Sequence, residues 1–318
     1  MRLHDRMLLA RCLEERLIHM HKQGDGFFWV GGPGEEALNT ALGLLVHKGQ
    51  GPAYDYLHLH YRSTATLLAL GADPADAMRQ MKNTATDPYS RGRNFCNHYS
   101  KRSWNVLPVS STIGVQFSMA PGTALANKRA GGKGITIVQG GDAGTAEADF
   151  STCLIWSSLP KRELPCLMVV TNNQWGISTP AAHMHAEQIA ARADAFGIQR
   201  AVVDGNDVER CYPALERAMD YVRTTRRPFL LEARVSRLYG HTSASGANFV
   251  PNEQDCVALL EARLEQLGLA KREELQALRA RYTRELRDLS KLVREEPQPS
   301  GEDIYRDVFA TRDLVNEA

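Results

Sequence analysis

"ITIVQGGDAGTAEAD", residues 135–149, decides the reading of this chain. An apolar run at 135–138 ends in a glycine-rich turn, the usual way a strand delivers backbone N–H groups to a phosphate. Asp142 sits in the middle of that turn, and a carboxylate repels phosphate. A cation between the two removes the conflict. Further apolar runs at 166–170, 201–203 and 228–235 alternate with helical stretches at 145–158, 186–195 and 207–224. Continuous apolar strands alternating with helices predict a buried parallel sheet, hence a doubly wound α/β fold with helices on both faces. Ligands of such sheets sit beyond the carboxyl ends of the strands. The second run ends in "TNNQW" (171–175). If the two strands are neighbours, Asp142 and Asn173 meet at one rim. A carboxylate oxygen and an amide oxygen there suit a hard cation such as magnesium, which keeps positions for substrate phosphates. A helix expected to start near Gly144 adds its N–H groups and positive dipole end.

Around this core, Leu3, Met7, Ala10, Leu13, Leu17 and Met20 fall at helical spacing until Gly24 stops them. "GGPGEEALNTALGLL" (31–45) opens a second helix near Glu35. Asp73 and Pro74 are an N-cap and first helical residue. Residues 86–110 read as a long polar loop. Beyond Asn252 the chain is charged and helical, with a stripe of Leu275, Leu278, Tyr282, Leu286, Leu289 and Leu292 that predicts a helix packed on its own domain. The expected division is an α/β domain with N-terminal helices over 1–251 and a helical extension over 252–318.

Composition excludes several classes. With 318 residues, 43% hydrophobic and 24% charged, the chain is ordinary for a globular enzyme. A net charge of +1 makes no case for nucleic acid or an acidic membrane, and no apolar run is long enough for a membrane span. "MRLHDRMLLARCLEERL" mixes both charge signs, as an amphipathic helix does and a targeting peptide does not, so a cytoplasmic, bacterial-type protein is expected. The six scattered cysteines form no C-x-x-C pair and read as reduced core thiols. His58 with His60 and His183 with His185 invite zinc, but no third ligand lies close in sequence. No G-x-G-x-x-G or P-loop is present, which argues against a nucleotide-dependent oxidoreductase.

"GGDAGTAEADF…VVTNNQWGIST" resembles the thiamine diphosphate signature, Gly-Asp-Gly followed some thirty residues later by Asn-Asn; Asp142 and Asn173 are 31 positions apart. More narrowly, the chain resembles the α subunit of the decarboxylating first component of 2-oxo acid dehydrogenase complexes, with "GGPGEEA", "HYRS", "VSSTIGVQ", "AVVDGNDV" and "PFLLEARVSRLYGHTS" in order along nearly its whole length. The resemblance implies the thiamine diphosphate-binding fold, with thiamine diphosphate and magnesium as cofactors. It implies Asp142, Asn173 and the Trp175 carbonyl as metal ligands, and Gly141, Ala143 and Gly144 against the diphosphate. Tyr61 and Arg62 match a pair that grips the diphosphate, and Ser111 and Ile113 match positions beside the aminopyrimidine and under the bend of the cofactor. His241 matches a catalytic histidine on a mobile loop where a lipoyl arm arrives, and an unperturbed imidazole suits proton delivery near neutral pH.

The implied partners are a β subunit carrying the cofactor-activating glutamate, in an α2β2 heterotetramer, and a lipoyl-bearing acyltransferase core. The implied reaction is oxidative decarboxylation of a small 2-oxo acid with reductive acylation of a lipoyl group. "GEE" (34–36) and "SS" (110–111) favour a branched-chain substrate, while "TIGVQ" (112–116) favours pyruvate; branched-chain is preferred. An acetoin dehydrogenase α subunit and an impaired regulatory or scaffold subunit remain alternatives. Three departures raise the latter: Ala143 for the second glycine of the motif, Thr171 where relatives have Arg or Glu, and Ser245 for an Asp, which would loosen the His241 loop. Ala143 is tolerable only with negative φ.

Overall fold

The computed structural model describes residues 1–185 and 188–306. In chain order the main elements are α1 (Arg2–Lys22), α2 (Glu36–Leu45), β1 (Tyr56–His58), α3 (Thr64–Leu70), α4 (Pro74–Met81), α5 (Val115–Arg129), β2 (Thr136–Gly141), α6 (Ala148–Ser157) and β3 (Cys166–Asn172). There follow a two-residue ribbon of β4 (Trp175–Gly176) and β5 (Thr179–Pro180), then β6 (Gln199–Asp204), α7 (Val208–Thr225), β7 (Phe229–Arg234), α8 (Cys256–Gln266) and α9 (Arg272–Arg294).

β1, β2, β3, β7 and β6 pair in that order, and every pairing is parallel. The chain steps from β1 to β3 in one direction and from β6 to β7 in the other. The crossover helices α5 and α6 pack on one face and α7 on the opposite one. Alternate strand residues feed two cores. Val138, Met168, Val170 and Leu230 pack with Phe117, Phe150 and Ile189. Ile137, Leu167, Val169 and Leu231 pack with α1, α2 and α7 through Leu13, Leu38 and Leu215. β2, β3 and β7 are buried on both faces, which is why they read as unbroken hydrophobic runs, whereas the edge strand β6 is only partly covered.

Several expectations change. β1 was not foreseen: it is three residues long and carries histidine. α3 and α5 were not foreseen either, because the α5 sequence is apolar on its exposed side as well, with Met119 exposed beside Gly122. The stretch 186–195 forms a 3₁₀ helix, Ile189–Phe196, instead of an α-helix; Ala186 and Glu187 lie outside the described residues. Residues 86–110 are irregular as expected, apart from a single 3₁₀ turn at Arg102–Trp104. On α9, Leu275, Tyr282 and Leu286 are buried, but Leu292 is exposed and Val293 takes its place. The helix lies on α1: Tyr282 Oη donates to Asp5 (2.5 Å) and Arg279 faces Glu15 (3.4 Å). All six cysteines are free and buried.

Candidate active site

β2 and β3 are neighbours, with Gly141 level with Thr171. The Asp142 and Asn173 turns therefore leave the sheet side by side at its carboxyl edge. They open into a cavity of about 230 Å³ whose wall includes Tyr61, Arg62, Ile113, Gly141, Asp142, Ala143, Gly144, Asn173, Trp175 and His241. Residues from four separate strand ends thus meet at one rim. Ser111 is the exception. Its neighbours Ser110 and Thr112 line the cavity, while its own hydroxyl lies 2.5 Å from His98 Nε2.

Asp142 divides its carboxylate. Oδ1 accepts the Ala143 N–H (2.9 Å) and caps a short 3₁₀ turn, Ala143–Ala146. Oδ2 is buried with no hydrogen-bond partner, and His185 Nε2 stands 3.8 Å away. Burial pushes this carboxyl above the usual range, against the stabilising Ala143 N–H and the charges of His185 and Arg62. A divalent cation at Oδ2 would supply the missing partner. Asn173 faces the same space, with Oδ1 accepting the Trp175 N–H (3.0 Å) and one lone pair remaining. Asn172 points the other way, donating to Glu232 (2.7 Å). The donor set is oxygen only, as magnesium requires. Among the described residues no group of three His, Cys, Asp or Glu side chains could hold zinc.

The turn itself is permissive. A Cβ placed on Gly141 meets nothing nearer than His60 Cε1 at 3.9 Å, so that side opens to the cavity. Ala143 is not among the residues with positive φ, so its methyl group carries no strain. The helix end expected at Gly144 lies further on: the 3₁₀ turn intervenes, and α6 begins at Ala148 with Glu147 as its N-cap. The hydrogen bonds of Thr145 to the Asp142 carbonyl close that tighter turn first.

Arg62 follows β1 and is held from three sides. Nη1 donates to the Gly31 carbonyl (2.6 Å), Nη2 faces His241 Nδ1 (2.8 Å), and Nε lies 3.8 Å from Glu35. The glycine turn before α2 is shaped to reach it: a Cβ on Gly32 would meet the Arg62 carbonyl at 2.5 Å. Burial pushes Glu35 up to about 7 despite Arg62. His241 departs from the near-neutral value expected of it. Burial, then Arg62 and Arg237, lower it to about 3, so the imidazole is neutral and accepts at Nδ1. Its loop is tied down. The Ser243 N–H donates to the Trp29 carbonyl (2.8 Å), and Ser245 Oγ accepts the Thr242 N–H (3.1 Å), so Ser245 pins the turn.

The sequence reading missed several residues here. His60, Glu147, Ile177 and Met184 line the cavity, and His185 stands behind Asp142. The pairs "LHLH" and "HMH" were the available signal. His58 turns to Thr123 (2.9 Å), leaving His60 at the rim.

A parallel α/β sheet with a cavity at its carboxyl rim and one half-satisfied acid there is the architecture of an α/β protein that takes its ligand beyond the strand ends. The dehydrogenase E1 component family matches residues 4–302, and the chain belongs to that family, with its thiamine diphosphate-binding fold. It is 26% identical to the 2-oxoisovalerate dehydrogenase subunit alpha 2 of Arabidopsis thaliana, over 95% of this chain and 65% of that one. It is 28% identical to the 3-methyl-2-oxobutanoate dehydrogenase subunit alpha of Mycobacterium tuberculosis (97% and 82%) and 24% to the pyruvate dehydrogenase E1 component subunit alpha of Rhizobium meliloti (95% and 88%). The chain spans 65% and 50% of the two Arabidopsis subunits it matches. Among the described residues no helix is long and apolar enough to cross a membrane.

Proposed function

We propose that this chain is the α subunit of a thiamine diphosphate- and magnesium-dependent 2-oxo acid dehydrogenase. The observation that carries the reading is Asp142 Oδ2, buried at the carboxyl rim without a partner, beside Asn173 and opposite Arg62. Asp142, Asn173 and the Trp175 carbonyl hold magnesium. Gly141, Ala143 and Gly144 lie against the diphosphate, and Tyr61 and Arg62 grip it; an arginine fork suits two phosphate oxygens. Ser111 and Ile113 flank the aminopyrimidine. When bound, the cofactor supplies the electron sink for decarboxylation. The protein's own work is to neutralise the diphosphate, exclude water and present His241 to an arriving lipoyl group, with Nε2 bearing the hydrogen.

A β subunit completes the site in an α2β2 assembly, and a lipoyl-bearing acyltransferase core receives the acyl group. In support, the cavity is rimmed by exposed Ile113, Trp175 and Ile177, and exposed Met119, Ile155 and Trp156 lie on α5 and α6. The substrate is a branched-chain 2-oxo acid in preference to pyruvate, and the six free thiols suit the cytoplasm. Residues 1–251 are the cofactor-binding domain and 252–318 its extension, helical in α8 and α9, with 307–318 outside the described residues. The test is a magnesium-dependent titration of thiamine diphosphate with and without the β partner, followed by kcat/KM for 3-methyl-2-oxobutanoate against pyruvate. Binding that ignores magnesium defeats the metal site. Steady-state decarboxylation by this chain alone defeats the need for a β subunit.

A further inference from the structure

His98 lies outside the cavity wall, yet it is among the most firmly held side chains near it. Its backbone is clamped by the buried Gln80: the His98 N–H donates to Oε1 (3.0 Å) and its carbonyl accepts from Nε2 (2.7 Å). The ring meets the edge of Phe95 (centroids 4.4 Å apart) and stacks on Tyr61 (6.3 Å, 16° between planes). The preceding Asn97 takes φ 65° and is anchored by donating to the Val30 carbonyl (2.5 Å) and to Glu14 (3.2 Å). His98 is 4% exposed, whereas Ser111, the group at its far nitrogen, is exposed.

The two ring nitrogens have opposite tasks. Nδ1 lies 2.9 Å from the Cys96 carbonyl, which can only accept, so Nδ1 carries the hydrogen. Nε2 is then a bare lone pair, and the Ser111 hydroxyl 2.5 Å away must donate to it. Burial of the ring, which lowers its basicity, keeps it in this neutral form.

We propose that His98 is a positioning residue that commits the only hydrogen of Ser111 and thereby turns Ser111, which stands between the wall residues Ser110 and Thr112, into an obligate hydrogen-bond acceptor. A serine hydroxyl is otherwise free to donate or to accept. With its hydrogen held by His98, Ser111 offers lone pairs alone, and these select an N–H. The exocyclic amino group of the aminopyrimidine is such a donor. The proposal rests on the placement of Ser111 beside that ring in the proposed function, and the tautomer of His98 does not depend on it.

Two experiments test the pair separately. First, ¹⁵N NMR of the full chain reads the His98 tautomer: hydrogen on Nδ1 is expected, and hydrogen on Nε2 overturns the proposal. Second, thiamine diphosphate is titrated with magnesium into the complex assembled with the β partner. His98→Ala and Ser111→Ala should each weaken binding by about 5-fold, the worth of one hydrogen bond. The double variant should be no weaker than either, and His98→Gln, which can present a carbonyl oxygen to Ser111, should restore most of the loss. Additive losses, or unchanged affinity in His98→Ala, overturn the proposal. A wild-type complex that does not bind thiamine diphosphate refutes the proposed function instead and leaves the tautomer result standing.

Discussion

Two buried acids in this molecule look alike by exposure and differ in what surrounds them. Glu14, on α1, is enclosed beneath the glycine turn; Asp142 is enclosed at the sheet rim. They are 2% and 1% exposed, and burial pushes both carboxyls upward, Glu14 to about 7. Glu14 receives three donors: Thr64 Oγ1 (2.5 Å), Asn97 Nδ2 (3.2 Å) and Trp29 Nε1 (2.8 Å). Asp142 receives the adjacent backbone N–H at one oxygen and no hydrogen bond at the other, where His185 Nε2 stands 3.8 Å away. An acid that holds a fold together has its lone pairs filled by the protein. In the proposed function the open oxygen of Asp142 is the one a cation fills, offsetting the cost of leaving it unpaired.

The largest expected effect tests the open oxygen. Asp142→Ala should abolish saturable magnesium-dependent binding of thiamine diphosphate in the assembled complex, read by titration, while its melting temperature changes little. A variant that binds normally would make Asp142 a turn cap and nothing more.

His241→Ala should lower the lipoyl-coupled rate by about 10-fold, the worth of a hydrogen bond from a neutral imidazole, while sparing the rate with an artificial electron acceptor. Because the free-state imidazole is lowered to about 3, it is neutral throughout the ordinary assay range. His241 should therefore contribute no break near pH 6.5 to the kcat/KM profile, and any break there should persist in His241→Ala. Equal losses in both assays would assign His241 to holding Arg62.

Glu14→Ala tests the filled acid. It strands three donors, so denaturant unfolding should show a loss of about 3–5 kcal/mol with cofactor binding affected only through stability. The pH dependence sharpens the point. The fold raises Glu14 from 4.5 to about 7, so the native state binds this proton more tightly than the unfolded chain does. That contribution is fully present below about pH 4.5 and is lost as pH rises through 7. Glu14→Gln should flatten stability across this window in part, with Glu35, also raised to about 7, keeping the remainder.

Ala143→Gly should do least: affinity for the diphosphate within about 0.5 kcal/mol of wild type, because the residue already takes negative φ. A large gain on this substitution would mean that the methyl group obstructs the ligand.

Much of this was legible in the amino-acid order. Four apolar runs became β2, β3, β6 and β7; in β2, β3 and β7 burial on both faces demands unbroken hydrophobic strands, while β6, at the sheet edge with Val202 exposed, keeps only the short run 201–203. The glycine turn with Asp142 and the Asn pair after the next strand stood out because turn residues are local, and their neighbourhood followed once β2 and β3 paired. β1 and α5 escaped: one is too short for a period, and the other has no polar face to mark it.

Everything that depends on contact across the chain belonged to the tertiary structure. Arg62 and His241 are 179 positions apart and share a hydrogen bond that no pattern signals. Ser245 secures the loop it was expected to loosen, because its hydroxyl reaches the Thr242 N–H. The sequence alone marked the side chains proposed to bind a diphosphate and a cation, since that choice follows from residue type and local turn. Only the fold decided which oxygen stays without a partner, which imidazole is neutral and which serine faces a histidine. Those depend on burial and on the direction of approach, and both arise when distant segments close over the same rim.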